Sequence, residues 1–309
     1  MLNDFYQNIK FKEYINRYGI INAIKRGIFI ANPLHYIGDY ELKKLLWQRN
    51  AARKIRKYLR YKDVDPLNLS FDEVLDNPDP IWMFWDSGIE HAPEIVQECY
   101  RSVVKYGGRE VILLDKFNVG KYITFPQHIM DKVKKGNIPI AGFTDLLRFS
   151  LLEHYGGTWI DATVYLSDVI PEEVLKSNFF AFRNSMCLVD NPVLFPAWFL
   201  HAKANNITIR AIRNIAFAYW AKEHHVIEYL LPNLIITEVL KIIPDEMLRM
   251  PYMSSDYSEY LIRCLGEEYD KDKMKWICSL TSVHKLSYKL DSQIANSYNI
   301  YRHIINNDL

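Results

Sequence analysis

The chain of 309 residues is 49% hydrophobic and 24% charged, and it contains only 12 Gly and 13 Pro. This composition excludes a disordered or fibrous protein, and the length allows one or two domains with a large core. No apolar run reaches the roughly 18 residues needed to span a bilayer, and the N-terminus lacks the basic-then-apolar order of a secretory signal. We therefore expect a protein without a membrane span.

Residues 1–62 are basic, with 14 Lys and Arg against four acidic residues, which gives a balance of +10 and leaves −9 for the remainder of the +1 chain. Large apolar residues recur there at helical spacing: Ile20, Ile21, Ile24, Ile28 and Phe29, then Leu42, Leu45, Leu46, Ile55 and Leu59. The pattern predicts a basic, helical N-terminal extension. It could lie on an anionic membrane surface, or it could form a collar packed on the main domain. We expect no nucleic-acid partner, because no nucleic-acid-binding motif accompanies the charge.

Residues 63–80 are rich in Asp and Pro and predict a linker, so residues 81–309 form the main domain. Strands and helices then alternate: strand Ile81–Trp85, helix Pro93–Tyr106, strand Glu110–Leu114, helix Ala141–Tyr155 and strand Thr158–Ile160. From about Asn205 the pattern is helical, through Thr208–His225 and Glu228–Ile243. This order predicts an α/β fold with a mostly parallel central sheet and a helical C-terminal part.

The most informative segment is AGFTDLLRFSLLEHYGGTWIDATVYL, residues 141–166. Asp145 and Arg148 lie three residues apart on the predicted helix and share a face of it. Their neighbours are apolar, so their charges must be paired with each other or with a ligand. An internal Asp145–Arg148 ion pair is one interpretation that stays open here.

Asp161 favours a ligand site, because it follows the predicted strand where that strand opens into a loop. In open α/β sheets, ligands gather at the carboxyl ends of the strands. Arg148 could bind an anionic diphosphate, and Asp145 and Asp161 could accept hydrogen bonds from sugar hydroxyls. Trp85, at the end of the first strand, is the candidate for stacking on a base.

Taken together, the D-x-x-R helix, the Gly-Gly turn and the strand-end Asp161 resemble the capsular polysaccharide synthesis protein family. They also resemble the wider group of retaining glycosyltransferases that includes the yeast initiation mannosyltransferases and the large toxin glucosyltransferases. The likeness extends from about Ile81 to Lys289 and includes the VHKLSYK segment, residues 283–289. It implies a GT-A-like nucleotide-sugar-binding fold.

The resemblance also implies roles for individual residues. Trp85 would stack on uracil, and Trp159 would line the nucleotide pocket. Asp145, Arg148 and Asp161 would hold the ribose and the donor sugar and form the catalytic group. Lys285 and His284 would approach the diphosphate, with Asp161 and His284 as metal ligands.

The motif reads Asp161-Ala162-Thr163 and so departs at Thr163 from the pattern of the wider glycosyltransferase group, where a second carboxylate is usual, but it resembles the form found in the capsular polysaccharide synthesis family. Thr163 would still contact the donor, but a hydroxyl is a poorer ligand for Mn²⁺ or Mg²⁺ than a carboxylate. Dependence on Mn²⁺ or Mg²⁺ is therefore open, and Lys285 or Arg148 could supply part of the missing positive charge.

The implied function is retaining transfer of a hexose from a UDP-sugar to a growing capsular or surface polysaccharide or a lipid-linked oligosaccharide. Two alternatives stay open: a non-catalytic nucleotide-sugar-binding scaffold, and a toxin-like protein glycosyltransferase. Glu228 is a candidate acceptor-side carboxylate, against an ordinary residue on a helix surface. Because the four cysteines show no metal or disulfide spacing, we expect a cytoplasmic protein. Whether residues 1–62 also bind the inner face of the membrane stays open.

Overall fold

The computed structural model describes residues 11–31, 40–77, 79–184, 191–290, 294 and 298–306. It begins with three helices, α1 (Phe11–Tyr18), α2 (Ile20–Ala31) and α3 (Tyr40–Ile55), and a 3₁₀ turn at Arg56–Tyr61. The expected helical N-terminal extension is therefore present. The side chains of Ile28, Phe29 and Leu42, which helped to predict it, lie outside the described part of the chain, as does Cys187.

The part of the chain that the structure describes contains seven strands: β1 (Ile81–Phe84), β2 (Val111–Leu114), β3 (Gly157–Ile160), β4 (Val164–Leu166), β5 (Phe179–Ala181), β6 (Phe199–Ala202) and β7 (Val283–Lys285). Five of them form a central sheet in the order β2-β1-β3-β6-β5. β1 is parallel to β2 and β3, whereas β6 is antiparallel to both of its neighbours. Four of the five strands thus point the same way, which confirms the mostly parallel sheet.

Helices surround this sheet and dominate the second half of the chain: α4 (Glu94–Tyr106), α5 (Val119–Tyr122), α6 (Gln127–Lys134), α7 (Ile140–His154), α8 (Glu172–Lys176), α9 (Ile207–Lys222), α10 (Leu231–Ile242), α11 (Pro244–Arg249), α12 (Ser255–Ser258), α13 (Tyr260–Cys264), α14 (Lys271–Leu280) and α15 (Ile300–Asn306). Their arrangement confirms the α/β class and the helical C-terminal part. The exception is β7, which pairs with β4 in a small antiparallel sheet.

The continuous apolar runs in the sequence form elements that are buried in the core. All four residues of β1 are buried, as expected for a strand covered on both faces. α7 is buried over most of its surface, from Phe143 to Glu153. After α7, Gly156 and Gly157 have positive φ angles of 73° and 101°. A Cβ on Gly157 would lie 2.1 Å from the carbonyl oxygen of Pro80, so the glycine lets β3 pack directly beside β1.

The N-terminal helices and residues 63–80 pack on the rest of the protein. Arg56 forms a 2.7 Å ion pair with Glu238 of α10. In the 63–80 segment, Ser70 forms an isolated bridge with Thr124, and Asp65 pairs with Arg213 of α9. The domain boundaries at 62 and 80 stay predictions, but both segments have defined contacts.

Two expectations from composition can be compared with the fold. Within the described ranges, no helix is both long enough and apolar enough to cross a membrane. The described cysteines, Cys99, Cys264 and Cys278, are free thiols.

Candidate active site

The Asp161–Thr163 segment forms a tight turn at the carboxyl edge of the parallel strands. The Asp161 amide donates to the Trp198 carbonyl at 2.9 Å, and the Val164 amide donates to the Asp161 carbonyl at 2.9 Å. The Leu286 amide donates to the Thr163 carbonyl at 2.8 Å. These backbone bonds fix the turn between β3 and β4, so Asp161 stands where ligands bind in open α/β sheets.

Arg148 connects the two carboxylates that the sequence singled out. Its Nη2 atom lies 3.2 Å from Oδ1 of Asp145 and 3.4 Å from Oδ1 of Asp161. Its Nη1 atom donates to the Ala197 carbonyl, and its Nε donates to the Thr144 carbonyl at 3.3 Å. The interpretation of an isolated Asp145–Arg148 pair is therefore incomplete, because the guanidinium also bridges to the strand end.

Lys285 approaches Asp161 from the other side. The β4–β7 ladder pairs Val164 with Lys285, which places the lysine just beyond the turn. Its Nζ atom lies 3.3 Å from Oδ2 of Asp161 and 2.5 Å from Oγ1 of Thr163. The Asp161 carboxylate is thus held between two cations, and the threonine that replaces the usual second carboxylate accepts a hydrogen bond from one of them.

The two carboxylates respond to this environment in opposite ways. Burial raises the pKa of Asp161, but the Arg148 and Lys285 charges and the hydrogen bonds from Trp159 and Lys285 outweigh it, so the net pKa is below the ordinary value. Burial raises the pKa of Asp145 to about 7, helped by the Asp161 charge and opposed by Arg148. Asp161 is therefore ionised at neutral pH, and Asp145 titrates near it.

Trp159 supports Asp161 and presents little surface to a ligand. The indole Nε1 donates to Oδ1 of Asp161 at 2.9 Å, and the Arg148 guanidinium lies 5.0 Å from the ring centroid. The side chain is almost fully buried. Trp159 therefore holds the Asp161 carboxylate and the Arg148 guanidinium in place. Its expected place in the wall of the nucleotide pocket stays a prediction.

Trp85 follows β1 and is only partly buried. Trp85 packs against the smaller core cluster, which includes Ala162 of the Asp161 turn. The Trp85 ring meets Tyr288 edge to face at 5.4 Å and 89°. An aromatic pair thus stands beside the Asp161 turn, as a base-stacking site requires.

His284 is not placed to ligate a metal with Asp161. Neighbouring residues of a strand point to opposite faces, so His284 turns away from the side on which Lys285 meets Asp161. Its Nε2 pairs with the Ser167 hydroxyl at 2.9 Å, and burial lowers the pKa of the imidazole to about 4. The expected ligand pair of Asp161 and His284 is therefore not formed.

The remaining groups do not make a convincing site for Mn²⁺ or Mg²⁺ either. These ions prefer several oxygen ligands, usually including carboxylates. Asp161 already contacts two cations, and the Thr163 hydroxyl binds the Lys285 ammonium. Among the described residues, no three His, Cys, Asp or Glu side chains converge on one point. The residues present fit an anionic ligand better than a divalent cation.

Three residues near this group were not singled out in the sequence. Arg17, at the end of α1, and Tyr229 share a cavity of about 20 Å³ with Asp145, so α1 lies against the Asp145 side of the site. Burial and the Asp145 and Asp161 charges raise the pKa of Tyr229. Burial also raises the pKa of Glu259, with the Lys285 charge opposing. None of these residues belongs to a local motif, so their proximity depends on tertiary folding alone.

Glu228 lies outside this group of charges. Its Oε2 atom lies 2.5 Å from Nη1 of Arg26 in α2, and both side chains are almost completely buried. It is neither an ordinary helix-surface residue nor placed by its contacts in the Asp161 cluster. Its position indicates a structural ion pair that anchors α2.

The comparison with protein families gives a match to the capsular polysaccharide synthesis protein family over residues 35–304. The chain belongs to the capsular polysaccharide synthesis protein family. The match covers α3, both sheets and all of the residues that surround Asp161. The expected enzyme class, a glycosyltransferase, is confirmed with it, and the non-catalytic scaffold is set aside.

The structures found by comparison are also glycosyltransferases. "PaToxG Glycosyltransferase" is 12% identical with a TM-score of 0.40, over 86% of this chain and 96% of that one. The apo form of the glycosyltransferase GlyE of Streptococcus pneumoniae TIGR4 is 12% identical with a TM-score of 0.38, over 75% of this chain and 63% of that one. The comparison with curated proteins gives no match. The strand order observed in this chain is consistent with a GT-A-like fold.

Proposed function

We propose that this glycosyltransferase moves a hexose from a UDP-sugar to a hydroxyl of a growing capsular or surface polysaccharide or a lipid-linked oligosaccharide, with retention of the anomeric configuration. The observation that carries the proposal is the position of Asp161 between Arg148 and Lys285 at the carboxyl edge of the sheet. Two cations, two carboxylates and an aromatic ring are the groups that a nucleoside diphosphate sugar requires.

Each part of the donor has a matching group. In this proposal the uracil base stacks on Trp85, close to Tyr288. The diphosphate lies against Lys285, whose side chain is 22% exposed and so can reach a ligand. Asp145 and Asp161 accept hydrogen bonds from hydroxyls of the ribose and the hexose. Arg148 balances both carboxylates and keeps them oriented.

The transfer step needs one bond made and one broken. The acceptor hydroxyl oxygen attacks the anomeric carbon on the face from which the diphosphate leaves, while the bond from that carbon to the diphosphate oxygen breaks, so the configuration is retained. The electron pair stays on the leaving diphosphate, which also takes the acceptor proton. Lys285 and Arg148 stabilise the charge that develops on the diphosphate, so positioning and electrostatics provide most of the catalysis.

The positive charge in this proposal comes from the chain itself. Lys285 contacts both Asp161 and Thr163. An ammonium there lies close to the leaving group and needs no divalent cation to bridge it. A protein acceptor, as in the toxin-like alternative, is disfavoured by the family, whose description names capsular polysaccharide synthesis.

A donor screen tests the proposal. Purified protein is incubated with UDP-, GDP- and CMP-sugars, and nucleotide release is measured with and without an acceptor extract of lipid-linked saccharides. We expect release of UDP from one UDP-sugar, and NMR of the product should show the donor's anomeric configuration. Release of GDP or CMP, or an inverted product, would contradict the proposal, as would absence of both turnover and UDP binding by calorimetry.

A further inference from the structure

The α1–α2 hairpin is firmly attached to the segment that precedes α10. The Val226 amide donates to the Arg17 carbonyl at 3.0 Å, and the ring of His225 pairs through Nδ1 with the Asn16 carbonyl at 2.9 Å. The buried pair of Arg26 and Glu228 adds a contact from the inner face of α2. The orientation of α2 relative to the rest of the protein is therefore fixed.

With that orientation, α2 presents an apolar surface to solvent. Ile20, Ile21 and Ile24 are 60%, 65% and 56% exposed, whereas Ala23 and Arg26 point inward. On a helix, these three isoleucines and the exposed Lys25 occupy one continuous arc. We call this surface, formed by Ile20, Ile21, Ile24 and Lys25, the isoleucine ridge. Three exposed isoleucines side by side form a contiguous apolar patch, which is the kind of surface that interaction sites present.

Cationic groups lie next to the ridge. A cavity of about 350 Å³ opens between α2, the turn after α3 and α9, and its lining includes Asn22, Lys54 and Lys57. Lys54 and Lys57 are exposed, although Lys57 pairs with Glu223, which lines the same cavity, and Arg53 and Arg60 are exposed close by in the chain. The ridge is thus an apolar surface within residues 1–62, the most basic part of the protein, whose net charge is +10.

We propose that the isoleucine ridge docks on an anionic membrane surface. Isoleucines can enter the headgroup layer while the flanking lysines and arginines meet anionic phosphates, as in other interfacial amphipathic helices. A second copy of the chain fits less well, because a two-fold contact through the ridge would bring two basic surfaces together. A nucleic acid would use the lysines but not the exposed isoleucines.

Docking would also set the position of the active site. Arg17, which shares the small cavity with Asp145, is three residues from Ile20, the first residue of the ridge. Arg17 and Ile20 flank the turn between α1 and α2, so the ridge begins close to the Asp145 side of the site. This link to a lipid-linked acceptor rests on the proposed function, whereas membrane binding itself does not.

Vesicle flotation without any donor tests the docking. The full chain is mixed with phosphatidylcholine vesicles containing 30% phosphatidylglycerol or none. We expect binding to the anionic vesicles that weakens with added salt, and a loss of about tenfold or more in partitioning for the triple variant Ile20→Ser, Ile21→Ser and Ile24→Ser. The control changes three apolar residues elsewhere that are even more exposed, Leu67→Ser, Val74→Ser and Leu248→Ser, and should bind like the wild type.

Several outcomes would overturn the proposal: no binding of the wild type, equal binding to both vesicle types, or an unaffected triple variant. If the wild type does not bind vesicles but light scattering shows that it is a dimer and that the triple variant is a monomer, the ridge binds a second copy of the chain. Melting temperatures of all variants verify that they fold. Because no donor is present, a negative result in this experiment does not bear on the transferase activity, which the donor screen tests separately.

Discussion

The ammonium of Lys285 lies 3.3 Å from the carboxylate of Asp161, although the two residues are 124 positions apart in the sequence. The β4–β7 ladder creates this contact by bringing the C-terminal strand to the turn after β3. As a result, the Asp161 turn carries a fixed cation beside Thr163.

Replacing Lys285 should impair donor turnover. In Lys285→Ala we expect kcat/KM to fall by about 10²–10³, because a preorganised cation beside the leaving diphosphate is lost. Lys285→Arg should retain more activity, since it keeps the charge. Initial rates of UDP release measure both, and Lys271→Ala, an exposed lysine at the start of α14, serves as the control. Equal rates for Lys285→Ala and the control would contradict the role.

Replacing Trp85 should weaken nucleotide binding. Stacking of a base on an aromatic ring contributes about 1–3 kcal/mol, so Trp85→Ala should raise the Kd for UDP by roughly 5- to 150-fold. Trp85→Phe should recover most of the affinity. Titration calorimetry measures the Kd, and Trp276→Ala, a half-exposed tryptophan of α14 that contacts Tyr260, is the matched control. An unchanged Kd in Trp85→Ala would place the base elsewhere.

Asp145 should make stability depend on pH. Its pKa is about 7 in the folded protein against 3.8 ordinarily, so the folded state binds the proton more tightly. Its contribution to the free energy of unfolding is fully present below the pKa of the unfolded state. That contribution decreases, by on the order of a few kcal/mol, as the pH rises toward the pKa of the folded state. Asp145→Asn does not ionise and so does not lose stability in this way. The melting temperature of the variant minus that of the wild type should therefore increase from pH 5 to pH 8. A constant difference would show that the carboxyl is not perturbed.

Arg26 and Glu228 should matter for stability and not for the donor. Glu228→Ala removes the carboxylate that faces the buried Arg26 charge and should destabilise the protein by about 3–5 kcal/mol, whereas the double variant Arg26→Leu and Glu228→Leu should cost less. Urea unfolding measures both, and the Kd for UDP should not change. If Glu228→Ala instead lost turnover at unchanged stability, the carboxylate would serve the acceptor.

The sequence predicts the first half of the sheet well and the second half poorly. β1, β2 and β3 lie within the predicted strands or extend them by one residue, because their buried apolar runs are bounded by Pro, Gly or Asp. β4 to β7 were not predicted. They have only three or four residues, and their pairings join distant segments, such as β6 inserted between β3 and β5. Such short strands carry too little periodicity to be distinguished from loops.

The candidate site shows the same limit. The spacing of Asp145, Arg148 and Asp161 was visible because a helix and the next strand carry them. The family resemblance indicated Lys285, but not its contact with Thr163, and it treated His284 as an equal partner although adjacent strand residues face opposite ways. Tyr229 and Glu259 carry no local signal at all, and only packing brings them to this group.

The measurement closest to the central claim is single-turnover release of UDP in excess EDTA, with the wild type and Asp161→Asn compared side by side. If Asp161, Arg148 and Lys285 form the donor site, the wild type should turn over without a divalent cation, and Asp161→Asn should be slower by about 10²–10³. A wild type that is silent until Mn²⁺ is added, or an Asp161→Asn variant as fast as the wild type, would contradict this account.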